Sequence, residues 1–236
     1  YNPDLAKNQM RAMFDYQEPN GFIPDCIYRD TLIEPNNYRN TKSPLAAWAV
    51  WEIYKQNKDV NFIKEFYPKL KNYHTWWYKE RDHDQDGLCE FGSTDGTLVA
   101  GKWESGMDNA VRFDNSKILK NGEQAYSLDQ ESVDLNSFLY AEKNYLAKMA
   151  KVLKLVNEEK IWTKESAKLK NQIQTQFWDA KTGWFYDTSI DGKNFIKDMG
   201  CEGFLPLWAE VASVEQAKSI KNNLLNPDTF NTFVPL

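Results

Sequence analysis

The chain has few of the side chains that most often carry redox, metal or nucleophilic chemistry. Its 236 residues include three cysteines and two histidines. Cys26, Cys89 and Cys201 are odd in number and lack C-x-x-C spacing, so we expect buried free thiols and no disulfide framework. Neither His74 nor His83 completes a Ser-His-Asp arrangement, and His74 is expected to be packed in a helix. Thiol, zinc and serine-nucleophile chemistry are therefore disfavoured.

Excess positive charge and long apolar runs are also missing. The formal net charge is −5, which leaves no basic surface to neutralise nucleic-acid phosphates. No apolar run approaches the roughly 18 residues that a membrane-spanning helix needs. The first residue is not methionine and the last residues are apolar, so we expect a piece of a longer protein, truncated at both ends.

Aromatic residues, in contrast, are abundant: 9 Trp, 12 Tyr and 13 Phe. Large rings fill hydrophobic cores, and they also stack on sugar rings in ligand pockets. Composition alone favours the core interpretation but leaves the second one open.

Amphipathic helices are the dominant pattern along the chain. Ser43-Pro44 predicts a helix start, and Asp59 predicts the cap of a second helix. Apolar residues then recur at steps of three and four, with Pro68 inside the run predicting a kink or a break. This helix face comprises Phe62, Phe66, Leu70, Tyr73 and Trp77. Further helices are expected at about 135–153, 158–177, 205–211 and 214–225, and one short strand at 184–186. The predicted fold class is all-α, in a single domain.

Residues 82–127 form the longest stretch without helical or strand periodicity, and such loops are often functional. Within it, residues 103–114 combine acids, aromatics, a glycine and an arginine. Glycoside hydrolysis needs a carboxylic acid that protonates the departing oxygen from a walled pocket. Asp108 is our candidate for that acid. The alternative is a lid anchored by Trp103 and Phe113, with Glu104 and Asp108 facing water.

A second acidic segment follows the predicted helix that ends near residue 80. Asp82, Asp84 and Asp86 alternate along the chain, and a glycine follows the third. Oxygen ligands in this pattern wrap a hard cation such as Ca²⁺, to which the Leu88 carbonyl and Glu90 carboxylate could add. A solvated acidic turn is the alternative interpretation.

This segment departs from an EF-hand loop, because Ser93 stands where the bidentate glutamate is expected. A ligand from elsewhere in the chain is therefore needed. Glu131 is the candidate, although acids near residues 129–134 could instead cap the helix that follows. The calcium would be structural and would hold the loop that carries Asp108. A calcium site also favours a periplasmic or secreted protein.

Several segments resemble glycoside hydrolase family 63, which includes processing α-glucosidase I and bacterial α-glucosidases. The central one is the E-S-G-x-D-N pattern at 104–109, preceded by Trp103. Other matching segments occur in the same order along nearly the whole chain: G-F-I-P-D at 21–25, K-S-P-L-A-A-W at 42–48, Y-H-T-W-W at 73–77, R-D-H-D at 81–84 and V-D-L-N-S-F-L-Y at 133–140. Trehalases carry a related E-S-G-x-D segment.

The resemblance implies a partial (α/α)6 barrel that hydrolyses an α-glucosidic bond with inversion. It assigns the general acid to Asp108 and implies substrate contacts by Trp103, Gly106 and Arg112, the last with a sugar hydroxyl or with Asp108. It also implies the calcium site described above. The family's general base, a glutamate near the end of the barrel, and an early W-x-W-D sugar-binding segment are both absent from this chain.

We therefore expect an inverting α-glucosidase domain acting on an oligosaccharide, with the base outside this chain and the isolated chain inactive. A trehalase-like hydrolase is one alternative. A non-catalytic helical protein that binds carbohydrate or acts as a scaffold is another, because a missing base suits it equally well.

Overall fold

The structure, a computed structural model, describes residues 2–30 and 32–234. Helices form most of the regular structure in these ranges. They are α1 (Pro3–Phe14), α2 (Ala46–Asn57), α3 (Val60–Glu80), α4 (Leu98–Ser105), α5 (Val133–Val152), α6 (Val156–Gln176), α7 (Leu205–Trp208) and α8 (Val214–Leu225), with 3₁₀ turns at Val111–Phe113 and Cys201–Phe204.

Helix α3 has the predicted start and the predicted buried face. The Asp59 carboxylate accepts hydrogen bonds from the Asn61 and Phe62 backbone N–H groups, as an N-cap should. All five predicted face residues, from Phe62 to Trp77, are at most 4% exposed. The helix continues through Pro68 without a break. Pro68 lies on the exposed side, so its ring disturbs no core contact, and the buried face on either side maintains the helix.

Helix α5 is the centre of the helical packing. It packs along most of its length against α6, and its other sides contact α2 and α3. The short connection between Val152 and Val156 makes α5 and α6 a helical hairpin. The predicted helix boundaries near 158–177 and 214–225 agree with α6 and α8 within two residues, whereas the helix expected at 205–211 ends at Trp208.

Short antiparallel strands connect the helices. Three sheets occur among the described residues, with strand orders β1-β3-β2, β4-β7 and β5-β6. The strands are β1 (Gly92–Ser93), β2 (Ile118–Lys120), β3 (Tyr126–Leu128), β4 (Gln130–Glu131), β5 (Trp178–Asp179), β6 (Trp184–Phe185) and β7 (Thr188–Ser189). The sequence predicted β6 alone. The expectation of a loop over 82–127 was wrong, since this stretch contains α4 and β1 to β3, each too short to show a period.

The three cysteines are free, as predicted. Cys89 is buried and Cys26 is partly buried, but Cys201 is exposed because it begins a surface 3₁₀ turn, so the prediction of burial was wrong there. Within 2–30 and 32–234, no helix is both long and apolar enough to cross a bilayer.

Candidate active site

Asp108 lies in a tight turn directly after α4. Gly106 ends the helix with φ +72°, in the left-handed region, and no atom lies within 4 Å of where its Cβ would be. The glycine is therefore required by backbone conformation rather than by space. The Ala110 N–H then donates to the Met107 carbonyl (2.9 Å), which closes a turn with Asp108 and Asn109 at its centre.

The Asp108 side chain is half-buried and free of partners within the described part of the chain. No hydrogen bond or ion pair there involves its carboxylate. Arg112, which the sequence offered as one possible partner, directs its hydrogen bonds elsewhere. A half-buried carboxyl without an internal partner is available to an incoming group.

A buried carboxylate fixes the helix that leads into this turn. Glu104 and Arg81 are both 0% exposed and form a two-bond ion pair, with 2.8 Å from Arg81 Nε to Glu104 Oε2 and 2.9 Å from Nη2 to Oε1. The Glu104 carboxylate also accepts the backbone N–H groups of Gly92 (2.6 Å) and Thr41 (3.1 Å). All its lone pairs are thus used inside the protein, and the alternative in which Glu104 faces water is wrong.

A second buried ion cluster fixes the segment that follows the turn. Arg112 is 3% exposed and pairs with Asp134, with 2.7 Å from Nη2 to Oδ2 and 3.0 Å from Nη1 to Oδ1. Its Nη1 also donates to both oxygens of Asp187 at 3.0 and 3.2 Å. Burial opposes the positive charge, but the two carboxylates outweigh it and raise the pKa of Arg112. Contact between Arg112 and a sugar hydroxyl stays a prediction, with only Nε lacking a partner.

Asp187 connects this cluster to the start of α5. Its carboxylate accepts the Val133 backbone N–H (2.8 Å), the Ser132 hydroxyl (3.1 Å) and the Gln130 side-chain amide (3.1 Å). It therefore caps the N-terminus of α5 from 54 residues away, where a negative charge is favoured by the helix dipole. Asp134 lies in the first turn of α5, so its predicted position near a helix start is correct, but its partner is Arg112.

The 3₁₀ turn at Cys201–Phe204 contacts the Asp108 turn through Met107. Cys201 Sγ lies 3.8 Å from Met107 Sδ, and Arg112 Nη2 lies 3.8 Å from the same Met107 sulfur. Glu202 is 3% exposed; its burial raises the pKa of its carboxyl to about 7, and Arg112 partly opposes the shift. A buried carboxyl whose pKa is raised toward neutral pH thus lies close to the Asp108 turn.

Trp103 projects from α4 into a surface cavity and is 37% exposed. The Arg39 guanidinium carbon lies 5.4 Å from the centre of the Trp103 ring, and the Lys42 ammonium donates to the Trp103 carbonyl (3.0 Å). A partly exposed indole on the helix that leads to the Asp108 turn is suited to pack against a sugar, and this role of Trp103 stays a prediction.

The acidic segment brings carboxylates together as two overlapping groups. Oxygens of Asp82, Asp84 and Asp86 lie within 4.8 Å of one another, and so do oxygens of Asp84, Glu90 and Glu131. The remote residue Glu131 therefore lies beside the loop. Leu88 is fully buried in the core, and ligation by its carbonyl stays a prediction.

Three of these carboxylates each present one buried oxygen without a hydrogen-bond donor: Asp82 Oδ1, Glu90 Oε1 and Glu131 Oε1. Their second oxygens are held by the chain, since Asp82 accepts from the Gly87 N–H (3.1 Å) and Glu90 from the His83 N–H (3.0 Å). Burial raises the pKa of Asp82 to about 6 and that of Glu131 to about 9, with nearby acids adding to both shifts. Three uncompensated oxygens, with the carboxylates of Asp84 and Asp86 beside them, fit a hard divalent cation.

Sequence reasoning did not identify Arg81, Asp134, Asp187 or Glu202 as parts of this site. Asp134 and Arg81 lie within segments that carry the family resemblance, so their positions were visible but their roles were not. Asp187 and Glu202 follow short strands and turns that have no periodic signal. Only the fold brings them to Arg112.

Comparison with known proteins identifies the class. Over 131 residues, the chain is 27% identical to a mannosylglycerate hydrolase of Thermus thermophilus, an alignment that covers 47% of this chain and 30% of the relative. The fold matches the family 63 mannosylglycerate hydrolase of a second T. thermophilus strain, solved with Tris and D-glycerate, with a TM-score of 0.74, 18% identity and coverage of 99% of this chain and 69% of that one. Neutral trehalase Nth1 of Saccharomyces cerevisiae matches with a TM-score of 0.70, 16% identity, and coverage of 94% and 49%.

These similarities confirm the expected fold class, a partial (α/α)6 barrel of the glycoside hydrolase type. The mannosylglycerate hydrolase MGH1-like glycoside hydrolase domain model matches residues 1–236, and the chain belongs to that family. The resemblance to glycoside hydrolase family 63 is thereby confirmed. The chain spans between 30% and 69% of the length of these three proteins.

Proposed function

We propose that this chain carries the general acid of an inverting glycoside hydrolase, and that the acid is Asp108. The observation that carries the proposal is the Asp108 turn itself. A half-buried, unpaired carboxyl stands between two buried ion clusters that hold the backbone on either side of it. Preorganised placement of this kind supplies much of an enzyme's rate enhancement.

In the proposed reaction, the Asp108 carboxyl donates its proton to the glycosidic oxygen as the bond to the anomeric carbon breaks. A water attacks the opposite face of the sugar, and a second carboxylate removes a proton from that water. In inverting enzymes the two carboxyl groups lie about 6.5–9.5 Å apart, which leaves room for the water. We place the second carboxylate outside this chain, and the isolated chain is accordingly expected to be inactive.

For the substrate, we propose an α-glucosidic bond in an oligosaccharide, from the segments that resemble family 63 α-glucosidases. Hydrolysis of mannosylglycerate is the second candidate, because the curated relative and the solved structure carry that name. Trehalose is the third, from the match to the yeast enzyme. A panel of α-1,2- and α-1,3-linked glucose disaccharides, trehalose and mannosylglycerate separates the three.

The acid assignment is tested by Asp108→Asn in the complete barrel. The amide cannot donate an acidic proton, so we expect turnover of an α-glucoside to fall by about 10²–10⁴. Asp114→Asn is the matched control, since Asp114 is an exposed aspartate six residues further on, and it should keep wild-type turnover. Near wild-type turnover in Asp108→Asn would refute the assignment, and release of the α-anomer as first product would refute inversion.

We also propose that the acidic segment binds Ca²⁺ through Asp82, Asp84, Asp86, Glu90 and Glu131, with the Leu88 carbonyl as a further ligand. The ion would neutralise buried carboxylates and connect the loop after α3 to β4. Chelation by EGTA should lower the melting temperature, and added Ca²⁺ should restore it. Asp84→Asn should abolish the difference, whereas Asp114→Asn should keep it. A melting temperature unaffected by chelation would contradict the proposal.

A further inference from the structure

A cavity with a volume of about 1050 Å³ adjoins Trp103 on the surface of the described part of the chain. Its walls come from the segment after α1, the C-terminal end of α3, the β1–α4 connection and residues 123–124. Trp103 lies on α4 only five residues before Asp108, so the chain itself keeps this part of the cavity wall near the turn that we propose carries the general acid.

Aromatic rings form one part of this wall. Phe22 and Trp76 are nearly buried, with ring centres 5.3 Å apart, and Phe22 stacks under Tyr38 at 6.3 Å. The outer rings, Tyr38 and Trp103, are 39% and 37% exposed. Phe22 thus supports Tyr38 from below, and the Arg39 guanidinium lies over the Trp103 ring. Two accessible rings in one wall suit the apolar C–H face of a sugar or polyol.

Carboxylates dominate the charge of the same wall. Five acids line the cavity against a single cationic side chain, Arg39. They are Glu18, Glu34, Glu80, Asp95 and Glu123. Arg39 forms an ion pair with one of these acids, since its Nε lies 2.6 Å from Asp95 Oδ2, and its Nη2 donates to the Thr97 hydroxyl. It therefore does not neutralise the other four. The cavity therefore presents uncompensated negative charge and many hydrogen-bond acceptors.

We propose that this cavity receives the leaving group of the substrate and selects an uncharged, hydroxyl-rich one over an anionic one. Hydroxyl groups donate hydrogen bonds to carboxylate oxygens, whereas an added carboxylate meets like charges. This rests on the proposed function, and it separates the chain from relatives whose named substrate, mannosylglycerate, carries a carboxylate on its leaving group. The chain would thus cleave a neutral glycoside.

A pair of probes that differ in one group tests the selection: α-glucosylglycerol, which is neutral, and α-glucosylglycerate, which carries a carboxylate. Binding to the chain is measured by calorimetry and tryptophan fluorescence at low ionic strength, so no turnover is needed. We expect glucosylglycerate to bind at least tenfold more weakly, and added salt to reduce the difference because the acids are partly exposed to solvent.

Charge variants test the cause. Glu34 and Glu123 are exposed, so Glu34→Gln/Glu123→Gln should fold normally, and it should strengthen glucosylglycerate binding severalfold relative to glucosylglycerol binding. The ratio of the two affinities is the readout, because both carboxylates line the cavity and their loss also removes hydrogen-bond acceptors for the neutral sugar. Trp103→Ala should weaken the binding of both glucosylglycerol and glucosylglycerate. Equal or tighter binding of glucosylglycerate, no response to the double variant, or no millimolar binding of either sugar would overturn the proposal.

A separate measurement tests the proposed catalytic role of Asp108. In the complete barrel, Asp108→Asn should keep the binding preference for the neutral probe while losing hydrolysis. A barrel that discriminates the two probes but shows no dependence of turnover on Asp108 would refute the acid and leave the cavity's selectivity standing.

Discussion

The ion pair between Arg81 and Glu104 gives the most informative test of how α4 and the Asp108 turn after it are held in place. In Glu104→Gln, the side chain keeps its shape but loses its charge, and its new N–H₂ group faces donors on Arg81 and Gly92 instead of accepting from them. The Arg81 guanidinium, 0% exposed, is left without a counter-ion. Removing one partner of a buried pair costs about 3–5 kcal/mol, a large share of the 5–15 kcal/mol that typically stabilises a domain.

The chain supplies a matched control. Arg11 and Glu65 form the same two-bond pair, with 2.8 Å from Arg11 Nε to Glu65 Oε1 and 2.7 Å from Nη2 to Oε2, but their side chains are 40% and 34% exposed. Solvent screens this pair, so Glu65→Gln should cost less than about 1 kcal/mol.

The free energy of unfolding is measured by urea titration for wild type and both variants, with thermal melts alongside. For a chain of this length, the expected loss in Glu104→Gln lowers the melting temperature by about 6–20 °C, and that in Glu65→Gln by at most about 4 °C. Both variants break a two-bond pair with an arginine, and they differ in burial and in the two backbone N–H groups that Glu104 also accepts. Equal effects, or a loss below about 1 kcal/mol in Glu104→Gln, would refute the argument that burial makes the Glu104 pair essential.

Two further predictions concern Glu202 and Pro68. Burial raises the pKa of Glu202 to about 7 from 4.5, so its contribution to stability is fully present below about pH 4.5 and is lost as the pH rises through about 7. Glu202→Gln should therefore remove about 3 kcal/mol of the fall in unfolding free energy between about pH 4.5 and 8, and identical pH profiles for the two proteins would contradict this. Pro68→Ala should raise the unfolding free energy by about 1–3 kcal/mol, because it restores a backbone hydrogen bond on the exposed side of α3, and a destabilised variant would show that the proline fits its helix without cost.

Helices were the part of the fold that the sequence predicted well. A face such as Phe62 to Trp77 repeats over several turns, and each repeat strengthens the same interpretation, so α3, α6 and α8 were placed to within a few residues. Helix α4 and the strands β1 to β3 were missed because two to eight residues contain too few repeats. Their stability comes from partners distant in sequence, such as Glu104 with Arg81 and Thr41.

For the candidate site, too, the sequence predicted what depends on neighbouring residues and missed what depends on distant ones. Local motifs indicated Asp108 and the alternating aspartates, since the chemistry of each lies within a few consecutive residues. The position of Glu131 beside those aspartates was predicted as one of two possibilities, and the structure brings it there. The roles of Arg112 and Asp187 could not be predicted, because a charged side chain in a sequence does not reveal whether it will be buried or which distant charge will neutralise it.

The pairing of Arg112 with Asp187 joins residues 75 positions apart, and this has a consequence for how the protein is made. A ribosome releases the Asp108 turn and the nearer partner Asp134 well before Asp187 emerges. Until Asp187 emerges, the Arg112 guanidinium is paired with Asp134 alone, and the N-terminus of α5 lacks the cap that Asp187 provides. The Asp108 turn therefore lacks part of the structure that holds it. The geometry around the Asp108 turn should thus be among the last features to form during synthesis, after the α5–α6 hairpin has already assembled.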